Sequence, residues 1–276
     1  MRTFVAAVVQ FRASGEIERN LDKATRLLRA ARAEGAEFIA LPENYAHFSL
    51  PGSKPAPIDS LRGAITSRMA DLAGELGCYL LLGGQPERAP EETRYYNTSL
   101  VVSPGGQILG HYRKRHMFEA RLPDGTTLNE ATTMLAGSEI VTVPTPLAVF
   151  GLSICFDLRF PEHFRALGAQ GAEVLTAPSA FTRATGSAHW HILCRARAIE
   201  NQCFLLAPNQ AGRHGGKRES YGHSLIVDPW GEILAEVRRE EGIAVARLEA
   251  RKLAEVRQRM AVRPLPIKPR IYKEEP

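Results

Sequence analysis

The stretch Gly35-Ala36-Glu37-Phe38-Ile39-Ala40-Leu41-Pro42-Glu43 has a counterpart in Gly171-Ala172-Glu173-Val174-Leu175-Thr176-Ala177-Pro178-Ser179. Each contains a short apolar-rich run, the composition of a buried strand, stopped by a proline that cannot donate to a ladder. A second pair follows in the same order. Ser99-Leu100-Val101-Val102-Ser103-Pro104-Gly105-Gly106-Gln107-Ile108-Leu109 matches Ser224-Leu225-Ile226-Val227-Asp228-Pro229-Trp230-Gly231-Glu232-Ile233-Leu234. These read as hairpins, with Pro and Gly setting the turn between β-branched runs. Two echoes in one order imply two similar halves, each a strand-helix-strand-helix plan closed by a hairpin.

Helical periodicity fills the intervals. Over Asn20 to Ala33 the apolar residues Leu21, Ala24, Leu27, Leu28 and Ala31 share one face, with Asn20 as the expected cap. Ser60 to Leu76 and Ser187 to Asn201 are amphipathic in the same way. Short apolar runs at Val5 to Val9, Tyr79 to Leu82, Ala148 to Ile154, Val174 to Ala177 and Phe204 to Ala207 alternate with them. Such alternation predicts an α/β domain of sheets covered by helices. The 276 residues suit one sizeable core, so a single domain over 1–276 is expected.

Composition removes several function classes. A hydrophobic share of 44% and a charged share of 24% are ordinary for a globular protein. No apolar run approaches the roughly 20 residues that span a bilayer. Met1-Arg2-Thr3-Phe4-Val5 enters a strand-like run without a cleavage-site pattern, so a cytoplasmic location is expected. The net charge of +5 is spread along the chain. Its clusters at Arg113 to His116 and Lys268 to Lys273 carry no recognisable binding motif, which argues against a nucleic-acid partner. Cys78, Cys155, Cys194 and Cys203 show no C-x-x-C spacing and fit reduced thiols rather than a disulfide framework or structural zinc. His189 and His191 stand two apart on an expected helix and point apart, so no metal is assigned to them. Gly83-Gly84 and Gly215-Gly216 lack the strand-to-helix context of a phosphate loop.

Three segments carry reactive side chains. In Gly151-Leu152-Ser153-Ile154-Cys155-Phe156-Asp157-Leu158-Arg159-Phe160-Pro161-Glu162 an apolar run ends in a cysteine just before an expected helix start. A cysteine placed there can be exposed at a sheet edge, with its thiolate favoured by the helix amino end. Leu41-Pro42-Glu43-Asn44-Tyr45 puts a carboxylate just past a strand, and Tyr112-Arg113-Lys114-Arg115-His116 does the same with a lysine. Singly, each has an ordinary reading: Cys155 as a small core residue, Glu43 as a cap, Lys114 as a solvated cation. A Cys-His protease leaves Glu43 and Lys114 without a role.

Taken together, this Glu, Lys, Cys set resembles the catalytic triad of the nitrilase, or carbon-nitrogen hydrolase, superfamily, over nearly the whole chain. The resemblance implies an α-β-β-α sandwich with two pseudo-symmetric halves, assembled as a homodimer or higher homo-oligomer. It implies that Cys155 attacks an amide carbon to form a thioester, with Glu43 as the base. Lys114 and a backbone N–H near Phe156 would face the oxyanion. Glu130, in Leu128-Asn129-Glu130-Ala131, falls where the family often has a second glutamate and would position Lys114 or the substrate. No cofactor and no metal are implied. Pro178-Ser179-Ala180-Phe181-Thr182, Thr185-Gly186-Ser187-Ala188-His189-Trp190, Arg195-Ala196-Arg197-Ala198-Ile199-Glu200, Ser220-Tyr221-Gly222-His223-Ser224 and Arg159-Phe160-Pro161-Glu162 resemble the Nit branch. That branch implies a small-molecule amide substrate, deaminated glutathione or alternatively 2-oxoglutaramate, with Phe156, Arg159, Phe181 and Thr185 as its binding residues. A non-catalytic binding protein on the same fold is the alternative of another class.

Two stretches are read as irregular. Residues 116–140 lack periodicity and lie between Lys114 and Cys155, where a long loop could fold over a pocket. From about 254 the chain is basic and proline-rich, read as an extended tail; the resemblance adds packing on a neighbouring subunit.

Overall fold

The computed structural model describes residues 1–48, 58, 60–90, 93–121, 127–215, 218–238 and 241–262. Strand β1 (Phe4–Gln10) and helix α1 (Ile17–Ala33) open the chain, followed by β2 (Phe38–Ala40), α2 (Ala64–Leu76), β3 (Tyr79–Arg88), β4 (Tyr95–Val102) and β5 (Ile108–Arg113). After these come β6 (Glu119–Arg121), β7 (Thr127–Asn129), β8 (Met134–Leu135), β9 (Thr142–Pro144) and β10 (Val149–Gly151). The second half adds α3 (Pro161–Ala169), β11 (Val174–Thr176), α4 (Arg183–Asn201), β12 (Phe204–Ala207), β13 (Ala211–Gly215) and β14 (Arg218–Tyr221). The last described elements are β15 (Leu225–Val227), β16 (Ile233–Glu236), β17 (Gly242–Leu248) and α5 (Ala250–Arg259).

Two large sheets form, ordered β17-β1-β2-β3-β4-β5 with β8 beside β4, and β16-β15-β12-β11-β10-β9, with β13-β14 and β6-β7 as separate two-stranded pairs. The expected pseudo-symmetry is visible in these orders. β1, β2, β3, β4 and β5 correspond to β10, β11, β12, β15 and β16, with parallel pairs at the start of each series and an antiparallel hairpin at its end.

Strand alternation decides how the layers stack. In β1, Ala6 and Val8 join the core between the sheets, while Ala7 and Val9 face α1 and α2. β2 repeats the pattern with Phe38 and Ala40 inward and Ile39 outward. A strand buried on both faces needs a sheet on one side and helices on the other, which gives the α-β-β-α order. Leu21, Ala24, Leu28 and Ala31 of α1 cover the outer face of the first sheet. Trp190, Cys194 and Ala198 of α4 pack on the second sheet, in one cluster with Leu205, Leu206 and Ala207 of β12. At the centre, Phe38 and Phe150 stack across the sheets with ring centroids 3.9 Å apart, and Phe4 meets Phe150 edge-on at 6.2 Å.

Four local readings change. Asn20 is not the cap of α1. It lies buried within the first turn, accepting from the Ser14 N–H at 2.9 Å and donating to the Ser14 and Ala46 carbonyls at 2.7 and 2.9 Å. A short amide reaching two loops satisfies more backbone than a cap would. The stretch 116–140 is not wholly irregular: β6 and β7 pair as a hairpin, and β8 joins the first sheet. These strands are too short to show a period. Strand β10 ends at Gly151, three residues earlier than the apolar run suggests. The chain also does not extend from about 254: α5 continues to Arg259, burying Leu253 and Val256. The proline-rich run Arg263 to Arg270 lies outside the described residues.

Phe150→Ala should cost about 3–5 kcal/mol, the usual range for emptying a buried aromatic site. Urea denaturation checks this, and a loss under about 1 kcal/mol would contradict the inter-sheet stack as a main packing contact.

Candidate active site

Each reactive side chain leaves the end of a strand. Leu41-Pro42-Glu43 continues β2, with the Leu41 N–H donating to the Leu81 carbonyl at 2.9 Å and the Asn44 N–H to the Gly84 carbonyl at 3.0 Å. Gly83 makes room for this segment, because a Cβ there would sit 2.0 Å from the Leu41 carbonyl oxygen and 2.5 Å from that of Pro42. The Gly83-Gly84 pair thus serves close backbone approach. Lys114 follows β5, its N–H bonded to the Asn97 carbonyl at 2.9 Å and its carbonyl accepting from the Gly137 N–H at 2.8 Å.

Lys114 is fully buried and lies between two carboxylates. Its Nζ is 3.0 Å from Glu43 Oε1, and 3.1 and 2.8 Å from the two oxygens of Glu130. Burial alone would push the Lys114 pKa down. The charges of Glu130, then Glu43, outweigh it and hold the ammonium well above its usual range. Glu43 is 2% exposed, with every acceptor engaged. Its Oε1 also accepts from Asn97 Nδ2 at 2.8 Å, its Oε2 from the Ala180 N–H at 2.9 Å, and its backbone carbonyl from Gln210 Nε2 at 3.0 Å. Glu130 accepts from the Phe118 N–H at 2.8 Å while donating its own N–H to the Phe118 carbonyl, so the base of the β6–β7 hairpin is tied to Lys114.

Cys155 opens a short 3-10 segment, Cys155–Arg159, with φ at +48°, a left-handed conformation that costs of order 1–3 kcal/mol away from glycine. The sequence reading placed it exposed at a sheet edge with a thiolate favoured by a helix. Instead it is buried, α3 begins only at Pro161, and burial, then the Glu43 charge, pushes the thiol pKa well up. Lys114 pulls the other way and loses. Burial and the Glu43 charge thus both favour the neutral thiol of Cys155.

Asp157 was missed, and it joins two of the segments. The fully buried carboxylate accepts from the Ile154 N–H at 2.8 Å on the Cys155 side. It also accepts from the Tyr112 hydroxyl at 2.7 Å and the His116 N–H at 3.1 Å on the Lys114 side, with His116 Nδ1 2.6 Å away. Burial opposes the charge, but the His116 hydrogen bond, the nearby His163 and the Ile154 and Tyr112 bonds overcome it and hold the carboxyl below its usual range. An acid two residues past a candidate nucleophile, in an otherwise apolar run, was the available signal. Asn97 and Gln210 were also missed; each is a polar residue at a strand or its end that turns out fully buried.

A narrow pocket opens on these groups. Glu43, Glu130 and Cys155 line it on the reactive side, with Phe118, Phe156 and Ala180. Arg159, Phe181, Thr182, Thr185, Asn44 and Arg218 line the remainder. The four expected binding residues Phe156, Arg159, Phe181 and Thr185 therefore meet in one cavity. The Arg159 guanidinium lies 5.2 Å from the Phe181 ring centre and 5.8 Å from that of Phe156. Burial pulls its pKa down, so a carboxylate brought alongside would be well received. Thr185 also helps cap α4, its hydroxyl 2.9 Å from that of Thr182. Arg218, its guanidinium 5.2 Å over Phe48, was not singled out from sequence as a binding residue.

The family model of the carbon-nitrogen hydrolases matches residues 5–258. The chain belongs to that family. Deaminated glutathione amidase of Synechocystis sp. is 39% identical over 263 residues, 94% of this chain and 97% of that protein. Omega-amidase NIT2 of Homo sapiens is 35% identical over 265 residues, 95% of this chain and 94% of that protein. The crystal structure of the C. elegans NitFhit protein superposes with a TM-score of 0.87 at 33% identity, covering 95% of this chain; this chain spans 65% of the worm protein.

Asp157→Asn should weaken the fold most above the ordinary carboxylate range. A carboxyl whose folded pKa is depressed contributes stability that is fully present above its unfolded value and fades as pH falls through the folded one. The gap in urea midpoint between wild type and variant should therefore be widest near neutrality and shrink below the model-compound value of 3.8. A gap that stays constant in acid would contradict an ionised Asp157.

Proposed function

We propose that this carbon-nitrogen hydrolase cleaves the amide of deaminated glutathione through a thioester on Cys155. The observation that carries the reaction is the convergence of Glu43, Lys114 and Glu130 on one buried network beside the Cys155 thiol. Glu43 takes the thiol proton as sulfur attacks the amide carbon, because a neutral thiol in that setting does not ionise unaided. Lys114 and the Phe156 N–H face the developing oxyanion, each such donor typically contributing ~2.7–4 kcal/mol. Glu43 then passes the proton to the leaving amine, and a water attacks the thioester to give the acid and restore the thiol. Glu130 positions Lys114. All three members of the Glu43, Lys114, Cys155 set are present, which argues against a non-catalytic binding protein. No cofactor or metal enters these steps.

The substrate rests on charge. Arg159 and Arg218 both line the cavity, two guanidinium groups for two carboxylates. Deaminated glutathione has two carboxylates, one on its 2-oxoglutaramyl head and one on its terminal glycine, whereas 2-oxoglutaramate has one. In the larger substrate the leaving group is the amine of cysteinylglycine, and in the smaller it is ammonia. Arg159, between Phe156 and Phe181, takes the head, and Arg218 takes the glycine end. A cytoplasmic location accords with the reduced cysteines; among the described residues no helix is long and apolar enough to cross a membrane. A homo-oligomer accords with the exposed Ile192 and Ile199 on α4 and the exposed Trp230, whose neighbour Gly231 lies against Ile199.

Competition kinetics with both amides tests the substrate. Deaminated glutathione should have the higher kcat/KM. Arg218→Ala should lower it by ~10-fold or more, as loss of a charged hydrogen bond does, while sparing 2-oxoglutaramate. Cys155→Ala should abolish both activities and Cys194→Ala neither. A preference for 2-oxoglutaramate, or an Arg218→Ala effect equal on the two amides, would overturn the assignment of deaminated glutathione.

A further inference from the structure

Beside the core-facing residues of α4, three elements bring two imidazoles and a carboxylate to one point. His191 comes from α4, His223 from the turn before β15, and Glu236 from the end of β16. His191 Nε2 is 3.0 Å and His223 Nδ1 2.6 Å from the same oxygen, Glu236 Oε1. The three nitrogen and oxygen atoms lie within 4.8 Å of one another. His189, two residues earlier, turns away to Arg159 at 3.2 Å, so the helix does splay its histidines as expected. What the sequence hid is that His191 meets partners 32 and 45 residues away, a distance no local spacing rule covers.

The surroundings hold these atoms in place. His223 sits at φ +55°, its carbonyl accepting from the Trp190 indole N–H at 2.7 Å, and its ring stacks on Tyr221 with centroids 4.4 Å apart. The His191 ring meets the same Tyr221 edge-on at 6.0 Å. The second Glu236 oxygen stays with Arg238 at 3.4 Å, which leaves Oε1 for the two rings. All three residues are half-buried, within reach of an ion from solvent.

We propose that His191, His223 and Glu236 form a binding site for a divalent transition-metal ion of the zinc class. Two imidazole nitrogens and a carboxylate oxygen are a ligand set that Zn²⁺ takes readily, with the fourth tetrahedral position left to water. Ligand distances near 2.0–2.2 Å are reached from the present nitrogen-to-oxygen separations by small side-chain rotations. The ion would replace the shared hydrogen-bonding proton positions and clip α4, the 222–224 segment and β16 together. The clip lies apart from the reaction. It meets the cavity lining at second hand, through Trp190, whose ring lies 5.0 Å from that of Phe181, and through Tyr221, whose N–H donates to the Phe181 carbonyl at 2.9 Å and whose side chain packs flush on Gly186, where a Cβ would come within 2.4 Å.

Isothermal titration of the full chain with Zn²⁺, compared with His191→Ala, His223→Ala and Glu236→Gln, tests the site. The wild type should bind one ion per chain, and its melting temperature should rise with added Zn²⁺, since an ion that binds only the folded state stabilises it. Each variant should lose that ion by more than the ~10–100-fold that removing a mere outer partner costs. Glu236→Gln keeps the shape of the side chain and guards against a variant that fails to fold. Co²⁺ bound to the wild type should give a visible spectrum without the intense sulfur-to-metal band, which separates this site from Cys155. No binding to the wild type, unchanged binding in the variants, or a thiolate band that persists in them would each overturn the proposal.

Discussion

The fully buried Lys114 ammonium is the constraint from which the rest of this site follows. A charge taken out of water is tolerated only when partners and hydrogen bonds replace the solvent, and here Glu43 and Glu130 do so from two separate segments. Because the one ammonium is shared by both carboxylates, strand β2, strand β5 and the β6–β7 hairpin are bound to one arrangement. Asp157 does the same for the Cys155 turn, joining it to Tyr112 and His116 on the Lys114 side. Three strand ends and a hairpin base are thereby set in register around one cavity.

The same burial determines the chemistry. A cysteine in water-rich, cation-rich surroundings becomes a thiolate, but Cys155 is packed away from solvent and faces Glu43, and both effects keep its proton on. In the proposed reaction the cost of attack is then moved from a standing ionisation to a proton transfer made as the carbon–sulfur bond forms. Lys114 does not offset this in the resting protein because its charge is shared with two carboxylates. The oxyanion of the tetrahedral intermediate would be a third acceptor in the same field, present only when the reaction needs it.

Much of this was legible in the sequence. The repeated Gly35 to Glu43 and Gly171 to Ser179 stretches marked matching strands β2 and β11, and the Pro-Gly turns marked the hairpins β4–β5 and β15–β16. Glu43, Lys114 and Cys155 stood at strand ends because that is where a sheet releases side chains toward a shared edge. What escaped was long-range or short-stranded. Asp157, Asn97 and Gln210 look like ordinary polar residues until the fold buries them, and His191, His223 and Glu236 are brought together by three elements with no common spacing. The β6–β7 hairpin was hidden because strands of three residues carry no period. The orientation of Cys155 was misjudged because its left-handed backbone turn is not written in the residue type.

The central claim is that Glu43 both holds the proton on Cys155 and removes it during attack. The most direct test is the pH profile of Cys155 alkylation, read by mass spectrometry, in wild type and Glu43→Gln, alongside turnover. Since the Glu43 charge raises the thiol pKa, its removal should move the alkylation profile to lower pH, while turnover falls by about 10²-fold or more with the base gone. An unshifted profile together with retained turnover would contradict the account.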